Sequence, residues 1–77
     1  MDATSIRFDL VAGTSERRVF MHELSWWLRD HVGDGAFILD GIDLDMTLDW
    51  YILTADTHFK VLLTKENDVT MFMLRWS

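Results

Sequence analysis

One stretch of this chain, residues 15–32, repeats its apolar side chains with a helical period, and glycines stand at both of its ends. The segments before and after it alternate with a period of two. That contrast restricts the chain to a helix layer over a sheet. Gly13-Thr14-Ser15 supplies the helix N-cap, Glu16 suits the positive end of the helix dipole, and Gly33-Asp34-Gly35 stops the helix. On a helical wheel Phe20, Leu24, Trp27, Leu28 and His31 form one face, with Met21 and Val32 at its edge. Val19 and Trp26 fall on the opposite side, beside His22, Arg29 and Asp30. Trp27 is therefore expected in the core, and Trp26 on the surface unless something covers it.

In residues 4–12, Ile6, Phe8 and Leu10 point one way and Ser5, Arg7 and Asp9 the other, as in a half-buried strand. Residues 36–39 form a short apolar run, and Asp40-Gly41 is a two-residue hairpin signal. Residues 42–52 then alternate regularly, as one long strand or as two joined at a bend near Asp45-Met46. Ala55-Asp56-Thr57 reads as a turn, 58–64 as a strand, Lys65-Glu66-Asn67-Asp68 as a polar turn and 69–76 as a last strand. The expected fold is a single α+β domain over residues 1–77. It has two layers, with one amphipathic helix packed on an antiparallel sheet of four to five strands (β-α-β-β-β-β).

At 77 residues the chain is near the lower limit for a self-sufficient core, but 49% of its residues are hydrophobic and 13% aromatic. That argues against disorder. Without cysteine there is no disulfide framework and no thiolate zinc site. No apolar run approaches the ~20 residues of a membrane span, and the first residues lack an apolar signal region. A complete, cytoplasmic protein is the expectation.

Charge is distributed unevenly. Of the 13 acids, seven are the aspartates at 30, 34, 40, 43, 45, 49 and 56, and residues 30–59 contain no Lys or Arg. An acidic block of this kind steers basic partners, while the net charge of −6 disfavours direct contact with nucleic acid or an anionic membrane. On a strand, Asp43, Asp45 and Asp49 would share one face over roughly 20 Å. The alternative is a solvated strand face with turn aspartates. In the expected fold, the sheet face away from the helix would carry Tyr51, Leu53, Leu62, Val69, Met71 and Met73. A greasy, methionine-rich patch rimmed by acid suits a protein interface, a homodimer contact included, although a one-residue slip in register would reverse it.

Other chemistries fit poorly. Asp43-Leu44-Asp45 lacks the ligand spacing and the glycine of a calcium loop. His22, His31 and His58 do not have zinc spacing. There is no phosphate loop or nucleophile motif. No enzyme activity, metal or cofactor is expected.

By its size and the acidic block at 30–56, the chain resembles small phage-encoded anti-defence proteins, including anti-CRISPR inhibitors, and the same format is shared by toxin-immunity proteins. The resemblance implies a non-enzymatic, stoichiometric inhibitor acting in the host cytoplasm if phage-encoded. Asp40, Asp43, Asp45 and Asp49 would occupy a basic, nucleic-acid-binding groove of an effector, with Tyr51, Trp26, Met71 and Met73 adding apolar contact. The alternative is a homo-oligomeric accessory or immunity-type protein joined through the Leu62/Met71/Met73 face.

Overall fold

The computed structural model describes residues 4–43 and 47–76. Its elements run β1 (Thr4–Phe8), α1 (Ser15–His31), β2 (Gly35–Leu39), β3 (Trp50–Thr54), β4 (Phe59–Leu63) and α2 (Glu66–Trp76). The architecture is α+β, with two helices and a four-stranded mixed sheet.

The signals at both ends of α1 operate as the sequence implies. Thr14 is the N-cap, its hydroxyl accepting from the Arg17 N–H at 3.3 Å. At the other end the N–H groups of Val32 and Gly33 both donate to the Leu28 carbonyl, at 2.8 and 3.0 Å. Gly33 has a φ of 141°, which a residue with a Cβ rarely adopts. Leu24 and Leu28 are fully buried, with Phe20, Met21 and Trp27 packed around them.

The sheet order is β1-β4-β3-β2. β4 pairs antiparallel with both β1 and β3, and β2 runs parallel to β3. The registers put Ile6, Phe8, Phe59, Val61, Leu63, Trp50 and Ile52 on one face, and α1 and α2 both pack there. An aromatic cluster joins the layers: Phe59 stacks on Phe8 at 5.3 Å, Phe20 meets Phe8 edge-on at 5.1 Å, and Phe72 lies 5.9 Å from Trp27.

The structure corrects three expectations. Residues 69–76 are not a strand but most of α2. Val69, Phe72 and Trp76 recur at i, i+3 and i+7, so the same residues that alternate also make a helical stripe. Glu66 and Asp68 in the first turn and Arg75 in the last complement the dipole. Asp40-Gly41 does not close a hairpin. Gly41 makes the turn at φ 97°, after the Asp40 N–H has extended the β2–β3 ladder to the Thr54 carbonyl at 2.9 Å. Because β2 and β3 are parallel, the chain returns from the end of β2 to the start of β3 between them. On the face opposite the helices, the Leu48 N–H donates to the Tyr51 hydroxyl at 2.9 Å. Among the described residues the alternation over 42–52 yields a strand only from Trp50 onward, and the sheet has four strands and is mixed rather than antiparallel.

Arg17 ties the turns at one end of the sheet together. It is only 7% exposed. Its Nη1 donates to the carbonyls of Leu10 (3.1 Å) and Ala55 (2.6 Å), and its guanidinium lies 5.6 Å from the centre of the Phe59 ring. Arg17→Ala strands two carbonyls and is expected to cost about 3 kcal/mol. Arg17→Lys is expected to recover little of this, since an ammonium cannot reproduce the planar fork. Urea denaturation checks both, and an unchanged midpoint for Arg17→Ala would contradict the staple.

Candidate partner-binding groove

The helices do not cover the whole sheet. β2 is an edge strand, and on its helix-side face Phe37 remains 47% exposed, with Leu39 more exposed still. The adjoining side of α1 carries Arg18, His22, Trp26 and Arg29, at i, i+4, i+8 and i+11. Between helix and strand runs a groove of about 620 Å³, closed at one end by the Gly13-Thr14 turn.

Trp26 is the groove's most prominent side chain. It is 65% exposed, yet its orientation is set: the indole N–H donates to His22 Nε2 at 3.0 Å, and the two rings meet edge-on at 6.2 Å. As an acceptor at Nε2, neutral His22 carries its proton on Nδ1. Phe37 is braced edge-on against the buried Trp50 ring at 6.1 Å. Arg18 and Arg29 are exposed and have no ion pair among the described residues. The groove thus offers two supported aromatic rings between two free guanidinium groups.

The acidic residues do not form the face expected of them. Asp43 and Asp49 lie outside any strand, and Asp45 lies outside the described residues. Asp34 and Asp49 stand at the end of the sheet where β2 and β3 begin, and Asp40 and Asp56 at the end where they finish, roughly 16 Å away for a five-residue strand. Two of the acids are neutralised internally. Asp40 Oδ2 is 3.5 Å from both Lys60 Nζ and His58 Nε2, and Asp49 Oδ1 is 3.1 Å from Lys65 Nζ. Asp34 and Asp43 are exposed.

Nor do the apolar residues expected at an interface come together. Tyr51 is a core residue, 1% exposed, with its hydroxyl held by the Leu48 N–H. Leu62 is half-buried on the face opposite the helices, beside Tyr51 and Ser5 in register, whereas Met71 and Met73 belong to α2 on the helix side. Of that set, Trp26 is exposed as the sequence suggests, and Leu62 and Tyr51 lie on the sheet face expected of them, though Tyr51 is buried.

Sequence reasoning passed over Arg18, His22, Arg29 and Phe37. The spacing of the first three on the helix surface was visible. The part played by Phe37 was not, because it depends on β2 being the outermost strand.

Among the described residues, no three His, Asp or Glu side chains converge as metal ligands, and no helix is long and apolar enough to cross a membrane. No family model matches the chain, and comparison with curated proteins and with solved structures gives no match either.

Proposed function

We propose that this chain is a non-enzymatic binding protein that acts by covering a surface of a protein partner, with the α1–β2 groove as its contact. The supporting observation is Trp26, a large ring held in a fixed orientation with most of its surface in water. Tryptophan and arginine are the side chains over-represented at binding hot spots, and Trp26 stands between two arginines. Covering the ring would contribute about 3 kcal/mol from apolar area alone.

Trp26→Ala is expected to weaken binding to a purified partner at least 30-fold, the size of a hot-spot loss. Its thermal midpoint should stay close to that of the parent, since an exposed ring supports little of the core. Titration calorimetry and a melting curve check the two halves of this expectation. Undiminished binding by Trp26→Ala would exclude the groove as the contact.

The second reading is an acid-face inhibitor of the anti-CRISPR kind, and the exposed carboxylates of Asp34 and Asp43 favour it. The paired variant Asp34→Asn/Asp43→Asn separates the two readings. It should slow association under the acid-face reading and leave it unchanged under the groove reading.

A further inference from the structure

We propose that the groove takes an extended, acidic peptide segment of a partner protein, which adds to the free edge of β2 as a fifth strand. This rests on the groove being the contact, and it names the kind of segment that enters.

The first support is the direction of the backbone. The Asp40 N–H donates to the Thr54 carbonyl, and the Asp34 carbonyl accepts from the Asp49 N–H. In a parallel ladder alternate residues face the same neighbour, so Ala36 and Ile38 also turn their polar groups toward β3. Gly35 and Phe37 turn theirs the other way, where the sheet has no further strand among the described residues.

The second support is that this edge lacks protection. Edge strands are ordinarily blunted by charge, proline or a bulge. Gly35-Ala36-Phe37-Ile38-Leu39 has no charged residue and no proline. The opposite edge strand, β1, carries Arg7, paired with Asp9.

The third support is the match between helix and strand. Arg17, near the start of α1, reaches Ala55 just past the end of β3. The helix therefore runs antiparallel to β2 and β3. Arg18 and Arg29 are eleven residues apart, about 16 Å along the helix axis, and a five-residue strand covers nearly the same length. An extended segment on β2 would have a guanidinium near each end and Trp26 beside it, nearer the Arg29 end. Strand addition next to a helix is an established way of gripping a peptide, with main-chain bonds giving affinity and flanking side chains giving selectivity.

Charge decides the occupant. Two arginines without acidic partners among the described residues call for carboxylates, and Arg–carboxylate pairs are among the stronger hydrogen bonds. The chain's overall charge of −6 opposes an acidic segment at long range. At close quarters Asp34 and Asp40 flank β2, and Asp40 is already held by Lys60 and His58, so the two arginines act chiefly against the exposed Asp34. A second copy is the poorer occupant, because a two-fold contact sets each patch against itself and would bring the two arginine rows together.

The test begins by selecting a random heptapeptide display library on the immobilised full chain. Enriched peptides should carry two acidic residues four or five positions apart, with apolar residues between them. A selected peptide should slow amide exchange at Phe37 at least tenfold and lose at least tenfold in affinity for Arg18→Glu/Arg29→Glu. Failure to enrich, enrichment of basic peptides, or binding that leaves Phe37 exchange unchanged would overturn strand addition by an acidic segment. So would a dimer in light scattering that Phe37→Glu dissolves. Partner binding that depends on Trp26 while the Phe37 amide stays unaffected would keep the groove and discard the added strand. Partner binding independent of Trp26 would discard both.

Discussion

Gly35→Ala is expected to destabilise this protein by about 3 kcal/mol, at the upper end of what overpacking costs. A domain of this length has only about 4–12 kcal/mol in total. Gly35 lies directly beneath the Trp50 indole, and a methyl group there would meet Cδ2, Cε2 and Cε3 of that ring. The ring cannot move aside easily, because it is fully buried and its N–H donates to the Gly33 carbonyl at 2.9 Å. Trp50→Ala alone should cost about 4 kcal/mol through the cavity it leaves. Combining the two substitutions should cost far less than their sum, since the methyl group would then enter space the ring has vacated. Additive losses would contradict the contact.

Phe72→Ala is expected to cost about 4 kcal/mol, and Leu74→Ala less than about 0.5 kcal/mol. Phe72 is buried against Phe8, Trp27 and Trp76, with ring centres 5.9–6.4 Å apart. Leu74, two residues on, is among the most exposed apolar side chains of the protein. The pair distinguishes helix from strand over this segment. In a strand Phe72 and Leu74 would share a face and both would matter. In α2 they lie about 200° apart, and only Phe72 reaches the core. Comparable losses from the two substitutions in a denaturation series would contradict the helix.

This same segment shows why the sequence was legible in some places and not in others. α1 could be read directly, because its N-cap, its glycine stop and its apolar stripe agree over seventeen residues. The turn between β3 and β4 was equally clear, with both flanking strands alternating and the Ala55 N–H closing it onto the His58 carbonyl at 2.9 Å. At 69–76, however, apolar residues occupy so many positions that a period of two and a period of 3.6 both find a greasy face. Packing against the Phe59, Val61 and Leu63 face of β4 decided it. The Asp40-Gly41 signal correctly marked a turn but not what followed, because strand order depends on long-range fit. β3 sits parallel to β2 where Gly35 makes room for Trp50, and no local pattern announces that.

The candidate site divides in the same way. Trp26 stood out in the sequence as a large ring on the wrong side of the helix, and the structure leaves it exposed. The acidic block was real as composition but misleading as geometry. Among the described residues Asp43 and Asp49 lie outside any strand, and Lys60 and Lys65, just outside the block in sequence, return to it in space. Phe37 and the two free arginines became a groove only once β2 was known to be the outermost strand.

Amide hydrogen exchange of the unliganded protein across β2 tests that open edge most directly. Ala36 and Ile38, bonded to β3, should exchange slowly, and Phe37 between them should exchange at least a hundredfold faster. A Phe37 amide as slow as its two neighbours in a monodisperse, monomeric sample would mean that the edge is already covered, and there would then be no groove for a partner to enter.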